Sequence, residues 1–215
     1  MSLNNFIFNT TSGIRFGSGM SKLCAEEVSK KLGPNILFIT DKDLMSLKLT
    51  EPTLNELRKL SSIVEIFQDV EADPSIKTLL NSIQVGKKIN ATGVIGFGGG
   101  SPIDTAKAIA AMAKFSKNIQ DYKPPSMFDK KGLPIIAIPT TAGTGSEVTH
   151  HAVIIDSNNN EKISCRGEGF VPIVAIVDYD LTLSKPRRLT IDSAIDTLTH
   201  GIEAYVSKKA TLFSD

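Results

Sequence analysis

This sequence lacks an excess of charge of either sign: 24 Lys and Arg stand against 23 Asp and Glu, a formal net charge of +1. Such a balance carries neither the basic footprint of a nucleic-acid binder nor an acidic tail. Cysteine is scarce: Cys24 and Cys165 are the only two, far apart and without metal-ligand spacing. That argues against a disulfide framework and for a reducing, cytoplasmic setting. Met1-Ser2-Leu3-Asn4-Asn5 has neither a basic stretch nor an apolar one, so no secretory signal is read there. No apolar run reaches the length that crosses a bilayer, and neither an internal repeat nor a low-complexity tract is present. The remainder is a 215-residue chain, 41% hydrophobic and 22% charged. Its composition is that of an ordinary globular protein, with room for one large domain, or one domain and part of another.

Short continuous apolar runs alternate with helical patterns along most of the chain. Ile36–Thr40, Ile63–Phe67, Gly93–Phe97, Pro134–Pro139, Val153–Ile155 and Val174–Val177 read as strands, several of them apolar throughout, as in parallel strands buried on both faces. Phe6–Thr10 alternates and reads as a short edge strand. Helical patterns surround Leu23, Val28 and Leu32, span Lys42–Leu49, and carry Ile76, Leu79, Leu80, Ile83 and Val85. The order predicts an α/β fold built as a doubly wound parallel sheet. From Asp192 to about Lys208 the pattern turns helical with no strand after it, and Pro186-Arg187-Arg188 marks the change. Two units are expected: 1–186, a dinucleotide-binding α/β domain, and 187–215, the start of an all-helical domain. About 30 residues are too few for a second independent core, so the chain reads as cut short, with an apolar helix face open to association.

Three stretches carry chemistry. In Gly98-Gly99-Gly100-Ser101-Pro102-Ile103-Asp104 the glycines permit a tight turn and close backbone approach. Ser101 reads as N-cap, Pro102 as the first helical residue and Asp104 as the third. Free N–H groups at such a helix start suit an anion, so phosphate is the expected occupant. Thr140-Thr141-Ala142-Gly143-Thr144-Gly145-Ser146-Glu147 packs four hydroxyls and two glycines into eight residues, small donors able to meet adenine, ribose or phosphate. Asp41, at a strand end, is either the N-cap of the next helix or an acceptor for ribose hydroxyls that repels a 2′-phosphate and favours NAD over NADP. The usual dinucleotide fingerprint has its glycine turn before the acid; here Asp41 comes first, so this is not an ordinary Rossmann order. Asp196 and His200 stand at i and i+4 on one helix face. They read either as two ligands of a divalent ion, with Fe²⁺ or Zn²⁺ suited to mixed N/O ligation, or as a helix-stabilising pair.

These stretches, together with Ile14-Arg15-Phe16-Gly17-Ser18-Gly19, Ile39-Thr40-Asp41 and Asp196-Thr197-Leu198-Thr199-His200-Gly201-Ile202-Glu203-Ala204-Tyr205, resemble the successive signatures of the iron-containing (class III) alcohol dehydrogenases over nearly the whole chain. The resemblance implies an NAD(P)-dependent, metal-dependent enzyme that moves a hydride between nicotinamide and a small alcohol or aldehyde. The metal would lie between a nucleotide-binding domain and a helical one. It assigns the adenine ribose to Asp41 and the pyrophosphate to Gly99, Gly100 and Ser101, with Asp104 at the same helix start. Thr140, Thr141 and Thr144 would line the adenine and nicotinamide sides, with Ser146 close by. Lys162 would reach a ribose hydroxyl, and Asp73 would lie near the cofactor. His151 falls on the substrate side, or is an ordinary surface histidine.

In the resembled family two further histidines complete the metal site, whereas this chain has only His150, His151 and His200. The resemblance therefore implies an incomplete form of the enzyme, expected to bind NAD(H) with weak or absent metal and little turnover, in a homo-oligomer whose ligands are small alcohols or aldehydes, with no nucleic-acid or membrane partner. Ala194 stands where the resembled pattern has glycine. Two other readings remain at this stage. One is a non-catalytic nucleotide-binding fragment. The other is a sister enzyme of the glycerol dehydrogenase or dehydroquinate synthase type, which the Asp196–His200 setting argues against.

Overall fold

Most of the apolar runs become strands of one sheet. The structure, a computed structural model, describes residues 6, 8–23, 25–114, 118–212 and 214; Cys24 lies outside them. In chain order the elements are β1 (Ile14–Phe16), α1 (Met20–Leu23), α2 (Ala25–Leu32), β2 (Asn35–Ile39), α3 (Lys42–Ser46), α4 (Glu51–Leu60), β3 (Ile63–Phe67), α5 (Ile76–Lys88), β4 (Gly93–Gly98), α6 (Gly100–Lys114), β5 (Ile135–Pro139), β6 (His151–Asp156), β7 (Glu161–Arg166), β8 (Val174–Val177) and α7 (Arg187–Val206). Six strands form a parallel sheet in the order β3-β2-β4-β5-β8-β1, and β6 and β7 form a separate antiparallel ribbon.

Because side chains alternate across a strand, each apolar run feeds two cores. Leu37, Ile39, Val94 and Ile135 face α5 and α6, meeting Leu79, Ile83, Ala106 and Ile109. Their neighbours Ile36, Phe38, Ile95, Phe97, Ile136 and Ile138 face α2 and α4, meeting Val28, Leu32, Leu54 and Leu57. Phe38 and Phe97 stack across adjacent strands with ring centroids 5.4 Å apart. The ribbon rests on the α5/α6 side: Ala152, Ile154, Ile163 and Cys165 point into that core. The alternate row, His151, Val153 and Ile155 paired with Arg166, Ser164 and Lys162, points away from it.

The order of strands sets the site. From β2 the chain steps outward to β3, then returns to the other side of β2 as β4. Connections leaving β2 and β4 thus run in opposite directions, and a crevice opens at their carboxyl ends, where ligands bind in open α/β sheets.

Several local expectations are corrected. Phe6 and Phe8–Thr10 are not strand, Ile7 lying outside the described residues; the edge belongs to Ile14–Phe16, which pairs with Ala175–Val177. The helix α4 falls in a stretch whose buried apolar positions are only Leu54 and Leu57, too thin a pattern to read. The strand β7 buries only Ile163 and Cys165 and is held as a strand by its partner β6. The last helix starts at Arg187, directly after Pro186, rather than at Asp192. It buries none of its 20 residues, leaving Ile195, Leu198, Ile202 and Tyr205 exposed. No helix among the described residues is long and apolar enough to cross a membrane.

Candidate functional site at the carboxyl ends of the sheet

Three adjacent strands deliver the three sequence stretches to one place. Ile39 pairs with Gly96, and Gly98 with Pro139, so Asp41, the Gly98–Ser101 turn and Thr140–Thr144 all emerge side by side from β2, β4 and β5. Thr140 N–H donates to Gly98 O at 2.9 Å, carrying the pairing one residue past the strand.

The glycine turn is tighter than expected. Helix α6 begins at Gly100, with Ile103 N–H donating to Gly99 O at 3.4 Å; Gly99, not Ser101, occupies the capping position. Pro102 is thus the third helical residue, where its missing N–H still has no intrahelical partner to lose. Gly98 has φ 150°, and a Cβ there would lie 2.5 Å from Pro102 Cγ. The N–H groups of Gly100 and Ser101 donate to nothing among the described residues. Opposite them, a Cβ on Gly99 would touch Thr141 at 3.4 Å and one on Gly100 would sit 3.2 Å from Thr144. The gap between turn and loop therefore exists because both positions lack side chains. Thr40 Oγ1, Thr141 Oγ1 and Glu147 Oε2 are buried without a hydrogen-bond partner, at the end of β2 and in the loop after β5. Such orphaned polar atoms call for an occupant.

Asp41 Oδ1 accepts from Leu44 N–H at 2.9 Å and caps α3. Burial raises its pKa above the usual aspartate value. Ser101, Asp73 and Lys162 come together at the mouth: Asp73 N–H donates to Ser101 Oγ at 3.3 Å, and Lys162 Nζ lies 2.9 Å from Asp73 Oδ1. The ribbon is tied to the same loop through Ile155 N–H to Pro74 O at 2.8 Å.

Asp104 and Ser146 lie deeper. Ser146 Oγ donates a short hydrogen bond to Asp104 Oδ1, and Val153 N–H donates to Asp104 Oδ2 at 2.9 Å. Burial raises the Asp104 pKa, against the opposing pull of Lys107. Lys107 went unremarked in the sequence, yet its side chain is wholly buried. Its only signal was a lone cation in an alanine-rich helix, three residues after an acid. His150 is the other unforeseen neighbour, its Nε2 lying 3.0 Å from His151 Nε2. Burial lowers both pKa values, that of His151 to about 4.

Asp196 and His200 project from α7, with Oδ1 and Nε2 3.8 Å apart. His200 Nδ1 lies 3.3 Å from Gly143 O, a contact that orients the ring and leaves Nε2 toward Asp196. Gly143 makes the approach possible, since a Cβ would come 2.7 Å from Ser193 O. No cluster of three His, Cys, Asp or Glu side chains able to hold a metal exists among the described residues.

A model of the iron-containing alcohol dehydrogenases matches residues 11–179. The NAD-dependent methanol dehydrogenase of Bacillus methanolicus is 38% identical over 213 residues, covering 99% of this chain and 55% of the relative. Among solved structures, a 1,3-propanediol oxidoreductase superposes with TM-score 0.93 at 31% identity, covering 99% of this chain and 56% of the other. Sulfoacetaldehyde reductase from Bifidobacterium kashiwanohense, in complex with NAD⁺, superposes with TM-score 0.87 at 30% identity, covering 95% and 54%. The chain thus spans about half the length of the relatives it matches. On the family match and the shared sheet, the chain belongs to the iron-containing alcohol dehydrogenase family.

Proposed function

We propose that these 215 residues form the nucleotide-binding part of an alcohol dehydrogenase or aldehyde reductase that uses NAD(H) in preference to NADP(H). The observation that carries this reading is the convergence of Asp41, the Gly98–Ser101 turn and the Thr140–Thr144 loop at the point where strand order reverses. The relative and the solved neighbour whose names include NAD support the choice of cofactor.

A dinucleotide fits the residues present. The N–H groups of Gly100 and Ser101 would take a pyrophosphate at the start of α6. The gap that a Cβ on Gly100 would fill leaves room for it, and the unpartnered Thr141 Oγ1 supplies a further polar contact. Asp41 would accept from an adenine ribose hydroxyl. Asp73 and Lys162, already paired over Ser101, would close over the other side. A divalent ion fits in part: Asp196 and His200 would supply two ligands, the remainder coming from outside the described residues. When bound, the nicotinamide supplies the hydride donor or acceptor and the ion supplies a Lewis acid. The chain's own part is to orient: the Gly143 carbonyl holds His200 so that both the metal donors and the nucleotide loop share one anchor. The substrates are small alcohols or aldehydes.

Titration of the chain with NADH and NADPH, followed by nucleotide fluorescence, tests the reading. NADH binds more tightly than NADPH, and Asp41→Gly raises NADPH affinity. An unchanged NADPH affinity removes the ribose role from Asp41, and absence of binding by both nucleotides removes the nucleotide reading. Binding without alcohol oxidation when Fe²⁺ or Zn²⁺ is added would favour a binding role over turnover, a reading that the two-donor set on α7 supports.

A further inference from the structure

The helix that follows the glycine turn, the loop after β5 and the ribbon are fastened together by one side chain. Lys107 lies on α6 two turns beyond Gly100, and none of its side chain reaches solvent. Its ammonium has three N–H groups and no acceptor, and the protein meets all three. One donates to His151 O at 2.8 Å and one to Ser146 Oγ at 3.2 Å. The third is shared between Thr149 O at 3.0 Å and Thr149 Oγ1 at 3.2 Å. Ser146 can accept because its own proton goes to Asp104, whose other oxygen takes Val153 N–H. One turn of helix thereby grips both the end of the Thr140–Thr149 loop and the beginning of β6.

We propose that Lys107, braced by Asp104, is a positioning residue for the dinucleotide. It holds the threonine loop and the ribbon at a fixed distance from the phosphate-facing start of α6, without touching the ligand. This rests on the nucleotide reading above. Among the described residues the loop after β5 pairs with no strand beyond Thr140, so its distance from Gly99 and Gly100 is set by side-chain bonds, those to Lys107 together with Thr10 Oγ1 to Val148 O and His200 to Gly143 O. Burying a cation is costly unless every donor is used, and here the charged form uses all three N–H groups on four acceptor atoms. A neutral amine has only two N–H groups to offer the same acceptors and loosens the loop.

The pH profile of nucleotide binding reads this directly. The ionisable groups facing Nζ are Asp104 on its own helix, Glu147 in the loop, and His150 and His151 before and in β6. Burial brings Lys107 down to about 8; it also lowers His151 to about 4 and raises Cys165 to about 12. Between pH 7 and 9.5 Lys107 is the cation of this cluster that loses its charge, whereas Asp104, raised by burial, can only gain negative charge as pH rises, which strengthens its hold on Lys107. NADH affinity of the 215-residue chain, measured by fluorescence, is expected to fall as pH rises through about 8. Lys107→Met, checked for folding by circular dichroism, binds on the order of tenfold more weakly at pH 7 and shows no further fall. A purely structural lysine would lower stability in that variant without removing the pH dependence. Should Lys107→Met not fold, the wild-type profile decides alone. A wild-type affinity constant from pH 7 to 9.5, or wild-type affinity in Lys107→Met, overturns the proposal and leaves nucleotide binding standing. Failure of the wild type to bind NADH or NADPH overturns the nucleotide reading itself.

Discussion

Asp41 caps a helix, and in the proposed nucleotide site the same carboxylate would also meet a ribose; a substitution separates the two roles. Its Oδ1 caps α3, a role that asparagine fills about equally well, while alanine costs about 1 kcal/mol. Asp41→Asn should therefore leave denaturant stability within a few tenths of a kcal/mol of wild type but weaken the discrimination against NADPH; a large stability loss would mean the charge itself matters to the fold. His151 gives a test in acid. Its pKa is lowered from 6.5 to about 4 by burial, by His150 and by the cations Arg166 and Lys107. The unfolded chain binds the proton first, so the stability held above pH 6.5 is lost as pH falls toward 4. Urea melts between pH 7.5 and 4.5 should show His151→Asn losing less than wild type over that window; parallel curves would contradict the half-buried, neutral imidazole. Asp41, whose carboxylate meets the backbone of the next helix turn, was legible in the sequence as a cap, whereas Ser101 was read as a cap that Gly99 provides instead. Lys107 was not legible, because its partners are two carbonyls and two hydroxyls more than thirty residues away, which no local pattern encodes.

Among the elements, those defined by their own apolar runs were readable, and those defined by a partner were not. β2, β4 and β5 are buried on both faces and announce themselves as continuous hydrophobic stretches. β7 is a strand because β6 pairs with it, and α4 is a helix because Leu54 and Leu57 reach the core under β2. The early start of α6 was hidden for a different reason: with three consecutive glycines, nothing local distinguishes the last strand residue from the first helical one. Helix α7 is held along its middle by close contacts with the loop after β5, with Ser193 O against Gly143 and His200 Nδ1 near Gly143 O. Gly143→Ala should push α7 away at a cost of roughly 1–3 kcal/mol. Faster tryptic cleavage after Arg187 and Arg188 would report it, and unchanged cleavage would mean that the helix is anchored elsewhere.

At the scale of the molecule, the sheet is a platform with a filled core on each face and a ligand crevice at one end. Phe97 ties the two roles together: it is fully buried, stacks on Phe38, and immediately precedes the glycine turn. Phe97→Ala should cost about 3–5 kcal/mol in denaturant unfolding, and a loss below 1 kcal/mol would contradict the packing described between β2 and β4. The parallel order of the strands was legible from their apolar character. That Asp41, the Gly98 turn and the Thr140 loop lie at strand ends was legible too; which strands neighbour one another was not, since a reversal of strand order is a property of pairing rather than of any segment. Amide NMR of the ¹⁵N-labelled chain titrated with NAD⁺ decides whether a dinucleotide occupies this crevice. A dinucleotide held there gives saturable shifts at Gly99, Gly100, Ser101, Thr141 and Thr144, with little change at the opposite ends of the strands around Pro134 and Ile173. Saturable shifts confined to that opposite end, or none at the glycine turn, would contradict it.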